Sequence, residues 1–126
     1  MTEKIIHQQV CSYLDLQYPN VIYTSDPSGM RVSIGLRVEL KKKRCKKYKI
    51  PDLIILHPSD NYHGLVIEIK KDGEKLIDKS GEFKKGHVSE QANTICELMK
   101  LGYCAMFGIG FEHCKKLIDD YLTTKN

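Results

Sequence analysis

Residues 49–71 read KIPDLIILHPSDNYHGLVIEIKK, and the fold turns on how they pair. Pro51-Asp52 leads into a short apolar run, Leu53 to Leu56, after which HPSDNYHG is dense in turn formers. A second apolar run, Leu65 to Ile69, carries Glu68, Ile69 and Lys70 at its end. If the two runs form a hairpin, its midpoint lies near Asp60, and positions 52 and 68 stand equally far from it. An antiparallel ladder then sets Asp52 opposite or nearly opposite Glu68. Strand alternation puts Glu68 and Lys70 on one face and Ile69 on the other. Two carboxylates held that close repel, so one takes a proton or a cation lies between them. Hard oxygen ligands suit Mg²⁺ or Mn²⁺, not zinc. An ammonium beside them can orient a water or offset charge developing on a phosphate. Two acids and a base meeting at one point are what phosphodiester hydrolysis requires. Surface ion pairs at strand ends would give the same letters. The weight comes from context: two short apolar runs, symmetric spacing, and a helix directly afterwards.

Outward from the hairpin, the spacing predicts a first helix over about residues 3 to 16, with Thr2 as cap, Ile6, Val10, Tyr13 and Leu14 at helical spacing, and Pro19-Asn20 at its end. Val21 to Thr24 reads as a strand that SDPSG breaks. Residues 25 to 50 are ambiguous. The partial alternation of MRVSIGLRVEL fits either an irregular strand or a long excursion. After the hairpin, DGEKLIDKSGEFKKGH is a polar, glycine-punctuated loop. Ser89 is the expected cap of a helix faced by Ala92, Ile95, Cys96 and Met99, with Gly102 past its end. Tyr103 to Ile109 is a buried strand, and Glu112 to Leu122 a closing helix with Cys114, Leu117, Ile118, Tyr121 and Leu122 on one stripe. The order α-β-(β)-β-β-α-β-α describes an α/β fold with a mixed central sheet flanked by helices.

The chain has 126 residues, which suits a single domain over 1–126. Apolar content of 41% and charged content of 29% belong to an ordinary globular chain. No apolar run has the length of a membrane span, and Met1 to Val10 lacks the form of a secretory signal, so a cytoplasmic protein is expected. The five cysteines, Cys11, Cys45, Cys96, Cys104 and Cys114, contain no Cys-x-x-Cys and read as reduced, with Cys96 and Cys114 on apolar helix faces. His57, His63, His87 and His113 are scattered, and GIGFE (Gly108 to Glu112) lacks a phosphate-loop lysine, so its glycines read as close packing. The sharpest charge feature is KKKRCKKYK, Lys41 to Lys49, in which seven of nine residues are basic. Lys41, Lys42, Lys43, Arg44, Lys46, Lys47 and Lys49 repel one another unless an anion lies near, and a polyphosphate backbone is the usual one.

Taken together, these residues resemble the PD-(D/E)XK nuclease superfamily, whose fold is restriction-endonuclease-like, and in particular its VRR-NUC branch with its small stand-alone phage-type members. YKIPDLIIL (Tyr48 to Leu56) carries the Pro-Asp and LVIEIKK (Leu65 to Lys71) the Glu-x-Lys. SGMRVSIG (Ser28 to Gly35) is similar to the segment after the family's first strand. His87 to Leu122 looks like its helix, strand and final helix, with Ser89-Glu90-Gln91 as the Ser-x-Gln. The chain departs from the family at Lys49-Ile50, where a glycine is usual. The resemblance implies Asp52, Glu68 and the Ile69 backbone carbonyl as metal ligands, Lys70 as catalytic lysine, Gln91 as a helix side chain reaching the site, and Glu3 as a supporting acid. It implies that Glu3 supports the metal, as a ligand or through a hydrating water, that the metal is Mg²⁺ with Mn²⁺ as substitute, and that the partner is DNA. It also implies branched-DNA cleavage by a homodimer, and the cytoplasm of a bacterial host if phage-encoded. The rival expectations are a catalytically silent nucleic-acid-binding module on the same fold, or a nuclease acting on RNA or from an end.

Overall fold

The computed structural model describes residues 1–27 and 32–123. Its elements, in chain order, are α1 (Glu3–Gln17), β1 (Tyr23–Ser25), α2 (Ile34–Lys43), β2 (Leu53–Ile55), β3 (Leu65–Lys70), α3 (His87–Lys100), β4 (Cys104–Ile109) and α4 (Phe111–Thr123). The strands form one sheet in the order β1-β2-β3-β4, antiparallel across β1, β2 and β3 and parallel between β3 and β4. This is the small α/β, restriction-endonuclease-like architecture expected, apart from one element.

All six residues of β3 are buried, as a central strand covered on both faces should be. Alternation sorts them. Leu65, Ile67 and Ile69 join Ile6, Val10 and Leu14 of α1 and Cys114, Ile118 and Tyr121 of α4 in the main core. Val66 faces the other way, against Ile95 of α3 and Ala105 of β4. Ile6, Val10 and Leu14 recur every fourth residue and are fully buried, which fixes α1 on the sheet. Thr2 caps α1 as expected, its hydroxyl accepting from the Ile5 N–H at 3.3 Å. Gly108 permits the close approach of β4 and α4. A Cβ there would collide with Cys114 Sγ, so the glycine serves packing. Burial, foremost, pushes the Cys114 thiol up to about 12, so it is an inert core group.

The bracketed strand of the expected order is a helix instead. Alternating Ile34, Leu36, Val38 and Leu40 suggested a strand, but the segment 34–43 is α2 and buries no residue. Local forces set it. Ser33 caps it through the Leu36 N–H at 3.2 Å, Glu39 lies 3.8 Å from both Lys42 and Lys43, and the last turn is basic, as the helix dipole favours. Ser28 to Arg31, the first half of the SGMRVSIG match, lie outside the described residues.

Two smaller corrections concern α3. It begins at His87 with Gly86, at φ +89°, in the cap position, so Ser89 sits inside the first turn rather than capping it. Its buried stripe is Ala92, Thr94 and Ile95, with Leu98 alongside, while Cys96 and Met99 are exposed. The helix is rotated by about one position from the face expected, because Leu98 rather than Met99 continues the stripe. The loop between β3 and α3 carries one bridge, Ile77 to Phe83, and the Phe83 ring lies 5.8 Å from that of Phe107 on β4. No described helix is long and apolar enough to cross a membrane.

Candidate active site

The hairpin has the register that the sequence spacing requires. Leu53 pairs with Ile67 and Ile55 with Leu65, so Asp52 and Glu68 meet one step beyond the last ladder pair. Each acid grips the other's strand. The Asp52 N–H donates to Glu68 Oε2 at 2.9 Å, and the Ile69 N–H donates to Asp52 Oδ2 at 2.8 Å. From the edge strand, the Asp26 N–H donates to the Asp52 carbonyl at 2.9 Å. Buried Pro51, which has no N–H to satisfy, precedes this junction. Asp52 is thus fixed at its amide and carboxylate by β3 and at its carbonyl by the residue that follows β1.

Glu68 is only 6% exposed. Burial, then the neighbouring Asp52 charge and a hydrogen bond to its side chain, push the Glu68 carboxyl up to about 8. The Asp52 N–H and the Lys70 ammonium oppose that rise without cancelling it. At neutral pH Glu68 therefore keeps its proton unless a cation replaces it. Gln91 reaches the site from the first turns of α3, its Nε2 donating to Glu68 Oε1. Its Oε1 is buried and finds no donor among the described residues, which leaves an acceptor free for a water.

Lys70 closes β3, is 5% exposed as a residue, and lies on the Glu68 side of the strand. Its ammonium stands 3.7 Å from Glu74 Oε2. Sequence reasoning missed Glu74. It lies in a loop whose only local signal is the Asp72-Gly73 turn, and Gly73 at φ +71° folds the chain back by four residues. Glu3 sits at the rim, on the first turn of α1. Its carboxyl is raised, first by desolvation, against the pull of Lys70 and with the push of Glu74 and Asp52. A cavity of about 830 Å³ opens beside Asp52, walled by Glu3, Lys4, His7 and Gln8 of α1 and by Ile69. Asp52, Glu68, Lys70 and Gln91 thus converge, Ile69 joins them through its backbone N–H, and Glu3 flanks them.

The basic run is divided in its duties. Lys41, Lys42 and Lys43 are exposed on the last turn of α2. Lys46 is engaged locally, donating to the Lys41 carbonyl and, at 3.1 Å, to that of Arg44. Arg44 is half-buried, and Lys47 lies 5.4 Å over the Tyr48 ring. Lys49 pairs with Glu90 at 3.1 Å and with His87 Nδ1 at 2.7 Å, which ties the end of the run to the helix that bears Gln91.

A divalent metal fits these residues. Two carboxylates, crowded enough that one keeps a proton, are the anionic donors Mg²⁺ uses when it retains waters. The orphaned Gln91 Oε1 supplies an acceptor for such a water. No group of three His, Cys, Asp or Glu side chains arranged to hold a metal occurs among the described residues.

No family model matches the sequence, and no curated protein does. Among solved structures, a "VRR_NUC domain protein" superposes with a TM-score of 0.70 at 25% identity, covering 100% of this chain and 92% of that one. A mixed four-stranded sheet flanked by helices, together with that full-length match, defines a nuclease-type domain of the restriction-endonuclease-like class. Within that class, the match supports membership of the VRR-NUC family.

Proposed function

We propose that the chain is a Mg²⁺-dependent endonuclease that hydrolyses DNA phosphodiester bonds, with Mn²⁺ as substitute and branched or junction DNA as preferred substrate. The observation that carries this reading is the reciprocal lock of Asp52 and Glu68, with Lys70 on the same face of β3. Asp52, Glu68 and the Ile69 carbonyl would hold the metal, which supplies Lewis-acid polarisation of the phosphate and a more acidic water. Gln91 fixes the Glu68 carboxylate and leaves its own Oε1 to orient a water. Lys70 offers an ammonium to the attacked phosphate and donates to the nucleophilic water's oxygen, while Glu3 adds negative charge at the rim. The exposed part of the basic run, Lys41 to Lys43 foremost, takes backbone phosphates without reading bases. A homodimer would present two such sites to two strands of a branch.

The test is cleavage of labelled linear duplex, single strand, flap and four-way junction with Mg²⁺, Mn²⁺ or EDTA, beside Lys70→Ala. Metal-dependent cuts lost in Lys70→Ala, fastest on the junction, are expected. Binding without cutting under every metal would sink the enzyme reading and leave a DNA-binding module. Cutting only of RNA, or only from ends, would replace the substrate.

A further inference from the structure

Lys70 stands among more carboxylates than a Glu-x-Lys motif supplies. Its ammonium is near enough to Glu68 to favour that carboxylate's charged form. Yet its ion-pair partner at 3.7 Å is Glu74, and both side chains are largely buried, at 7% and 20% exposure. We infer that Glu74 is a positioning residue that holds Lys70 off the Asp52–Glu68 pair, so that the pair stays open to a divalent cation; this rests on the reading of that pair as the cation site.

A buried ammonium must have an anionic partner. Without Glu74, the anions left to Lys70 are Glu68 on its own strand and Glu3 at the rim. Lys70 would then seek the same oxygen lone pairs as the cation and would turn away from the space where a phosphate comes. The backbone leaves little else to set its direction. The Lys70 carbonyl accepts from the Gly110 N–H at 2.8 Å, which pins the end of β3. The turn through Gly73, closed by the Glu74 N–H on the Lys71 carbonyl at 3.2 Å, returns the Glu74 carboxylate to the ammonium. What remains adjustable is the lysine side chain, and among the described residues Glu74 is its ion-pair partner within 4 Å.

The experiment measures Mn²⁺ affinity without DNA, by electron paramagnetic resonance, for wild type, Glu74→Gln, Lys70→Met and the double variant. Melting in EDTA establishes that each is folded. Glu74→Gln is expected to weaken Mn²⁺ binding about tenfold, as loss of an outer partner at a metal site does. In the Lys70→Met background the same change should cost less than about twofold, since no ammonium is left to intrude. An equal loss in both backgrounds would mean that Glu74 acts only as a distant charge, and the inference falls. Should Glu74→Gln not fold, Glu74→Asp, which keeps the charge but shortens its reach, must show a smaller loss that Lys70→Met likewise abolishes. Asp52→Asn separates the two readings. If it leaves wild-type Mn²⁺ affinity unchanged, the pair is not the cation site and both fall. If it abolishes binding while the Glu74 effect is the same in both backgrounds, only the role of Glu74 falls.

Discussion

Glu68→Gln should make the metal-free protein more stable at alkaline pH, and the size of the effect follows from the site. The Glu68 carboxyl is ordinary in the unfolded chain, near 4.5, and raised to about 8 in the folded one, by burial first and by Asp52 second. The folded state therefore holds a proton that the unfolded state has given up. The stability this contributes is complete below about pH 4.5 and is lost as pH rises through about 8. Each pH unit inside that window is worth up to about 1.4 kcal/mol, so the loss by pH 8.5 is about 3–5 kcal/mol. The variant's amide stays neutral at every pH. The Gln91 amide can also turn over, so that its orphaned Oε1 accepts from the new amide. In EDTA, the difference in unfolding free energy between wild type and Glu68→Gln should be small at about pH 5. It should widen in the variant's favour to about pH 8.5, equivalent to about 10–20 °C in Tm for a chain this size. Referring wild type to the variant cancels other titrating groups. Added Mg²⁺ should restore most of the wild-type loss at about pH 8.5 and do far less for the variant. Curves that run parallel from about pH 5 to 8.5 would refute the crowded pair, and with it the electrostatic case for a cation there.

Lys70→Ala should lower the single-turnover cleavage rate by about 10²–10⁴-fold while DNA affinity in EDTA changes less than about twofold, read by fluorescence anisotropy. Alanine at Lys41, Lys42 or Lys43 should each reduce the slope of log affinity against log salt by up to about one; an unchanged slope removes that residue from the interface. Gly108→Ala should cost about 1–3 kcal/mol in urea unfolding, because its methyl enters space held by Cys114 and Ile67. Leu36→Ala on α2, where nothing is buried, should stay within about 0.5 kcal/mol of wild type in the same assay.

The parts of the fold that the sequence disclosed are those in which one periodicity dominates. Ile6, Val10 and Leu14 could lie on one face only of a helix, and Cys114, Ile118 and Tyr121 repeat that pattern at the other end of the chain. The register of β2 on β3 was legible because both runs are short and end on acids equally far from the turn; a slip of one residue would bury those acids' neighbours the wrong way. α2 was misread because alternating Ile34, Leu36, Val38 and Leu40 carry strand periodicity that no burial enforces. With no face to hide, the segment follows its cap, its ion pairs and its Lys- and Leu-rich composition instead. The face of α3 was misplaced for the opposite reason. Leu98 and Met99 both extend the stripe from Ile95, and only the position of the sheet decides which is covered.

The same distinction separates Glu68 from Glu74. Glu68 and Lys70 lie on β3 and Asp52 directly precedes β2, where spacing translates directly into geometry, so their meeting could be worked out on paper. Glu74 reaches Lys70 through a left-handed glycine in an irregular loop, and no period carries a side chain across such a turn. A strand pair can place opposed acids, but it also places an ammonium among them, with every reason to collapse onto them. If Glu74 prevents that collapse, the loop after β3 belongs to the site as much as the strands do. Shortening it by deleting Gly73 should then weaken Mn²⁺ binding as much as Glu74→Gln does, although the deletion removes no charge at all. Wild-type affinity in a folded Gly73 deletion would return the loop to the status of a connection.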